Sequence, residues 1–247
     1  MHLLVLGFIT LLVGTLIGTV GVGGILLIPA LGSFAGLSTH VSMGTALFSF
    51  IFTGILGTYL YQRRGSINWE VTIPLCLGAL LFGYVGSLTN ANTSVRSLNL
   101  LLAAVIIFAG VYALKPHTGI ISSDGKGKLN RFILLLLIGS MVGFGSGLTG
   151  VGGPVLSVPI MVAFGFHPLT SIAASQVVQI TAALSGSIGN FRHAFIDFSV
   201  AWWITLIELL GVSIGVYLAH TASSSLLKKI VSIVCVIVGS YIFLRSW

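Results

Sequence analysis

The stretch IGTVGVGGILLIPALG at residues 17–32 returns as SGLTGVGGPVLSVPIM at residues 146–161, and this return decides the fold. A gapless slide of 129 residues lays Gly21-Val22-Gly23-Gly24 on Gly150-Val151-Gly152-Gly153. The same slide pairs Gly14 with Gly143, Gly18 with Gly147, Gly36 with Gly165, Gly57 with Gly186, Gly86 with Gly215 and Gly110 with Gly239. It also pairs Ser42 with Ser171, Arg63 with Arg192 and Tyr112 with Tyr241. Chance identities among Leu and Val are common in an apolar chain, but nine glycines and an arginine in one register are not. Internal duplication is the first thing to seek in a sequence. Here it divides the chain into a first repeat at 1–114, a polar linker at 115–130 and a second repeat at 131–247.

Composition says what kind of repeat this is. Of 247 residues, 56% are hydrophobic and 6% charged, where soluble domains carry about 25% charged residues. A polytopic helical membrane protein follows, and Gly is frequent in such helices. Apolar runs of spanning length predict an all-α fold of eight long spans at 3–20, 41–61, 69–89, 95–114, 131–149, 169–190, 198–220 and 225–246. Two shorter runs, 22–37 and 151–166, are interrupted by Gly and Pro. The run 3–20 lacks the basic flank and cleavage site of a signal peptide, and its counterpart lies mid-chain, so it is expected to be retained as a span. The 11 basic residues against 4 acidic ones are scattered through short loops. They are orientation determinants rather than a nucleic-acid surface.

If the two short runs cross the membrane, each half has five spans and the halves are inverted. If they dip in and return, each half has four spans and the halves are parallel. Loop 62–68 carries Arg63 and Arg64, while loop 191–197 offsets Arg192 with Asp197; loop 90–98 has only Arg96, while 221–229 has Lys228 and Lys229. This alternation favours inversion, with both termini outside.

Inverted repeats with broken helices are a recurring plan of secondary transporters, which hold substrate where the repeats meet. Gly21, Gly23 and Gly24, with Gly150, Gly152, Gly153 and Pro154, mark the breaks. Glycine permits unusual backbone angles, and Pro154 suits the first turn of a restarting helix. Each restart aims N–H groups at the break, which suits an anion; the competing role of these glycines is close helix packing, as in Gly14-xxx-Gly18 and Gly143-xxx-Gly147. After each break comes a helix with a polar stripe. Ser42, Thr45, Ser49 and Thr53 share one face in the first copy, and Ser171, Ser175 and Gln179, with Gln176 beside them, follow in the second. Both glutamines break the symmetry, since Leu47 and Phe50 stand in their places.

Glu208 is an acid in the middle of a strong span, a functional hypothesis by default, here a coupling group for protons. Arg63 and Arg192 either attract an anion or anchor span ends at the interface. Gly145-Ser146-Gly147-Leu148-Thr149-Gly150 matches G-x-G-x-x-G formally, but the dinucleotide fingerprint needs a preceding strand. No cofactor or metal motif is read from the sequence. An intramembrane enzyme lacks its G-x-S-x-G or H-E-x-x-H signature. An ion channel or cation carrier would draw on carboxylate rings or carbonyl filters, and Glu208 alone is thin material for either.

The paired G-x-G-G breaks, the apolar run with Pro after each, and the hydroxyl-bearing helices that follow resemble the sulfite exporter TauE/SafE family of bacterial permeases over essentially the whole chain. The resemblance implies a multi-pass protein of the bacterial inner membrane that moves small sulfur-containing anions, such as sulfite or organosulfonates, in either direction. It implies a substrate site at Gly21, Gly23, Gly24, Gly150, Gly152, Gly153 and Pro154. The Thr-Ser pair frequent in the family is here Thr45-Ala46 and Ala174-Ser175, one hydroxyl from each copy. Lipid and a small anion are the expected partners, and homo-oligomers are compatible with the sequence.

Overall fold

The computed structural model describes residues 2–90, 128–192 and 195–246, with Arg96, Leu100, Ala103, Ala104, Ile107 and Val111 between them. A few side chains within the described helices, Arg192 among them, fall outside that description. The described chain is helical. In order come α1 (His2–Val20), α2 (Gly24–Phe34), α3 (Thr39–Arg63), α4 (Trp69–Asn90), α5 (Lys128–Thr149), α6 (Gly153–Ala163), α7 (Pro168–Arg192), α8 (Phe198–Thr221) and α9 (Ser224–Ser246).

Among the described residues five helices, against the eight long spans expected, are long and apolar enough to cross a membrane: Thr39–Arg63, Trp69–Thr89, Leu129–Thr149, Pro168–Ile188 and Phe198–Thr221. The segment Leu4–Val20 is apolar but shorter, and the expected span 95–114 lies largely outside the described residues. The outer surface exposes large apolar side chains, among them Leu81, Leu137, Leu206 and Leu210. Such a surface suits lipid.

Helix directions follow from which residues meet. Along α1 and α8 the numbers rise together: Gly14 lies on Glu208, and Gly18 on Val212 and Gly215. The two are parallel. Likewise α4 and α5 are parallel, with Gly78 on Leu136 and Gly86 on Phe144. Helix α3 runs with α1 and α8, because Gly44 at its start meets Phe195 and Tyr61 at its end stacks with His220. A turn with Gly65 at φ +65° reverses the chain into α4. Across α3, helix α7 is antiparallel, since Leu47 meets Gly186, Phe50 bonds Gln179 and Gly57 meets Gln176.

The short helices double back. Gly23 packs against Val13, Leu16 and Ile17 of the helix just left, so α2 returns along α1 rather than continuing it. At 11 residues each, α2 and α6 are about 16 Å long, half a bilayer core.

Contacts recur in pairs at the 129-residue spacing. Gly14 lies on Glu208 and Gly143 on Ala79; Gly18 on Val212 and Val216, and Gly147 on Gly83 and Ser87; Gly57 on Gln176 and Gly186 on Leu47. At Gly14, Gly18, Gly143 and Gly147 one backbone lies directly on another, where a methyl group has no space, while Gly57 and Gly186 each receive a side chain.

Helix α8 is capped by Asp197. Its carboxylate accepts from the Ser199 hydroxyl at 2.6 Å and from the Ser199 and Val200 N–H groups at 3.0 and 3.1 Å. The Ser199 hydroxyl foremost, then the Val200 N–H, holds this carboxyl below the ordinary aspartate value. A lowered value means stability that is present above about pH 4 and lost as pH falls through it. Asp197→Ala is expected to cost about 1 kcal/mol at neutral pH, and less in acid, by thermal unfolding in detergent. In the same assay Gly147→Ala should cost more than Gly65→Ala. The first drives a methyl onto the Gly83 carbonyl, while nothing lies within 4 Å of the second.

Candidate functional site

Both breaks are glycine backbone where other residues would be strained. Gly21 has φ +74°, Gly150 +69° and Gly152 +90°, values that L side chains rarely adopt. Gly23 differs: its φ of −153° is negative and lies outside the left-handed region. It is glycine for space, because a β-carbon there would stand 2.6 Å from the Val13 carbonyl oxygen.

The two breaks touch. A β-carbon on Gly24 would fall on the Val151 carbonyl, and one on Gly21 would lie 2.6 Å from Val158 and 3.3 Å from Pro154 and the Ser175 hydroxyl. Helix α2 therefore starts where α6 starts. Their first turns, which leave N–H groups outside the intrahelical ladder, flank one small space. Pro154, in the first turn of α6, removes one donor there. Ile17, Gly21, Gly24, Phe50, Val151, Gly152, Pro154, Val155 and Gln179 line that space, and no water-sized sphere fits inside it. The Phe50 ring closes it, lying 3.1 Å from a β-carbon built on Gly152 and 2.7 Å from one on Gly24.

Chain ends at the breaks need partners for their last carbonyls, and buried side chains supply them. At the end of α1 the Ile17 carbonyl accepts from the Gly21 N–H and the Gln176 amide, both at 3.1 Å. The Gly18 carbonyl accepts from the Tyr61 hydroxyl at 2.7 Å. At the end of α5 the Ser146 carbonyl accepts from the Gly150 N–H at 2.9 Å, and the Thr149 hydroxyl bonds Gly145 at 2.6 Å. Gln179 donates to the Phe50 carbonyl at 2.9 Å and to the Thr53 hydroxyl at 2.7 Å, tying α7 to α3 beside the space.

The residues expected from sequence divide accordingly. Gly21, Gly24, Gly152, Pro154 and Gln179 line the space; Ser175 lies beside Gly21, and Gln176 holds the end of α1 with its own carbonyl oxygen unpartnered. Gly23, Gly150 and Gly153 complete the two turns, packed on Val13, Met43 and Val178 respectively. Thr45 is elsewhere. It accepts from the Asp197 N–H at 3.0 Å and secures the loop before α8. The hydroxyls of Ser49, Thr53, Ser171 and Ser175 donate to carbonyls of their own helices, so the stripe presents oxygen rather than free donors. Arg63 lies at the end of α3 over the Tyr59 ring, away from the breaks, and the Arg192 side chain lies outside the described residues. Glu208 is fully buried where α8 meets α1. Sequence reasoning missed Phe50 as a plug and Tyr61 as a clasp. Only the position of Phe50 opposite Gln179 in the duplication marked it among 15 phenylalanines.

The fold is that of a polytopic helical membrane protein, and the known proteins it resembles are named transporters. The family model described as "Sulfite exporter TauE/SafE" matches residues 135–247. A protein of Methanocaldococcus jannaschii named a probable membrane transporter is 28% identical over 98% of this chain and 94% of its own length. Two from Bacillus subtilis with the same description are 26% and 25% identical, over 96% and 92% of this chain and 94% and 95% of their own. By these matches the chain is similar to the sulfite exporter TauE/SafE family over its second half and to probable membrane transporters over nearly its whole length. No solved structure matches it.

Two substitutions separate the break from its surroundings. Gly152→Ala should cost about 1–2 kcal/mol from backbone handedness alone and displace Phe50. Thr45→Val should lower the melting temperature through the unpaired Asp197 N–H, about 1–3 kcal/mol, and leave ligand binding intact. Melting temperature and calorimetric binding of sulfite, measured on both variants, check this.

Proposed function

We propose that the chain is a secondary transporter for a small sulfur-containing anion, sulfite or an organosulfonate, held where the two breaks meet. One observation carries the proposal: two helix starts, from counterpart segments 129 residues apart, flank a single central space. Helix starts favour negative charge through their N–H groups and dipoles. Gln179, whose amide reaches this space from α7, is the polar side chain that distinguishes one flank from the other. The family description supports the substrate class.

The proposal includes inverted repeats, 1–114 and 131–247, on either side of the linker at 115–130. Helix directions support it, although the short helices return rather than cross. Helices α1 and α2 together enter and leave on one side and add no crossing. Helix α1 runs with α3 against α4, and α5 runs with α4, so counterpart helices α1 and α5 are opposed. The paired contacts support it as well, because a two-fold relation makes every contact occur twice. Gln179 bonds Phe50, its own counterpart 129 residues away, as residues do at a two-fold axis. On this plan Gly21, Gly23, Gly24, Gly150, Gly152, Gly153, Pro154, Ser175, Gln176 and Gln179 form or support the site, and Arg63 and Arg192 sit at entrances.

Transport needs movement. The space is closed to a water-sized sphere, and a three-oxygen anion is larger, so the hairpins α1–α2 and α5–α6 must part to admit it. A hairpin that opens to one side while its counterpart stays shut is alternating access. Proteoliposomes loaded with labelled sulfite or taurine test the function. Flux that Gly21→Ala and Gln179→Leu each reduce at least tenfold supports the site; a protein that moves neither anion overturns the substrate class.

A further inference from the structure

Glu208 is an acid buried completely in the middle of α8, with neither carboxylate oxygen in a hydrogen bond of good geometry. Two described elements pack closely around it. From α1 comes Gly14, whose backbone lies on the Glu208 backbone. From α3 comes Ser49, which faces the carboxyl but donates its hydroxyl proton to the Ala46 carbonyl at 2.9 Å. Neither α1 nor α3 brings a charged group to this level. The other titratable groups of α3 are His40 near its start and Tyr59, Tyr61 and Arg63 near its end; α1 has only His2. On α8 itself, Asp197 caps the start, and Tyr217 and His220 lie near the end.

An ionised carboxylate with no donor and no counter-charge in such a place is among the most costly arrangements a protein can hold. A bare metal cation would need a cage of oxygens, which one glycine and one occupied hydroxyl do not provide. A proton needs no cage. The counterpart contact sharpens the point: Gly143 lies on Ala79 as Gly14 lies on Glu208, so the same packing works with a methyl group. The carboxyl is not required for the fit.

We propose that Glu208 is a proton-binding site that couples transport to a proton gradient, taking up and releasing its proton when the α1·α8 contact opens. The proposal rests on the anion-transport reading for its setting. Gly21 follows Gly14 by about two turns of helix, so a movement of the α1–α2 hairpin that opens the anion space also uncovers Glu208. Only one of the two matching interfaces carries an acid. Proton exchange therefore belongs to the half-cycle in which α1 moves, and the movement of α5 against α4 carries none.

The test has two arms on the intact protein. In proteoliposomes, an imposed pH gradient should drive accumulation of labelled sulfite by the wild type. Glu208→Gln should bring accumulation down to the undriven level, and Glu208→Asp should restore part of it, with matched helix content for all three. Wild-type transport indifferent to the gradient, or accumulation by Glu208→Gln equal to the wild type, overturns the proposal while the anion reading stands. The second arm needs no transport. An apolar carbodiimide reacts with protonated carboxyls in apolar surroundings, so mass spectrometry of the labelled wild type should find Glu208 modified, increasingly so in acid, and Glu70 and Asp197 not. If no anion moves, the anion reading fails and labelling alone decides. A Glu208 unlabelled in acid and alkali alike overturns the proton site.

Discussion

Backbone that leaves its helix inside a bilayer must find hydrogen-bond partners in protein, since lipid offers none. Two such segments meet at the centre of this molecule, and the rest of the fold serves them. Helices α3 and α7 cross behind the breaks and enclose them. The loose carbonyls at the end of α1 are bonded by Tyr61 and Gln176, which come from α3 and α7. Without those enclosing helices the breaks would expose unsatisfied groups to hydrocarbon. With them, the N–H groups at two helix starts flank one small space closed by the Phe50 ring.

The two ends of the molecule solve the same problem by different chemistry. At α1 the solution is long-range, a phenol and an amide from distant segments. At α5 it is local, with Thr149 bonding one turn back to Gly145. The counterpart of Thr149 is Val20, which cannot do this. On the duplication proposed above, the two halves keep one shape while their side chains diverge. Gln176 and Gln179 facing Leu47 and Phe50, and Glu208 facing Ala79, are further cases. The amides hold the Ile17 and Phe50 carbonyls, whereas the packing of Gly14 on Glu208 repeats as Gly143 on Ala79, so the acid is free to serve something other than packing.

Much of this was legible from glycine. Positions whose backbones touch across helices, such as Gly14, Gly18, Gly143 and Gly147, tolerate no side chain, and they recur in one register 129 residues apart. The breaks were legible for the same reason, Gly21 and Gly152 by their handedness. The course of α2 was not. Eleven apolar residues after a break read equally well onward or backward, and only the contact of Gly23 with Val13 decides. The hydroxyl stripe was legible as a face, but not its bonding. Serine and threonine in a helix can bond their own preceding carbonyls, and here they do. Thr45 looked like a site residue because it lies on that face; its partner, the loop before α8, is 152 residues away and has no signature in sequence.

The close partner of α1 is α8, and that of α5 is α4, so each half supplies the surface on which the other half's first helix rests. Helix α1 has α2 and Tyr61 as early neighbours, but it lacks its largest packing surface until residues near 208 have been made. Through most of synthesis its glycine face and the frayed carbonyls beside Gly21 must be shielded by lipid, by water at the interface or by the insertion machinery. Contacts so distant in sequence are formed late. Biogenesis, rather than the finished fold, is then the stage at which this protein is most exposed to degradation, and a chain cut before α8 leaves the glycine face of α1 without its partner.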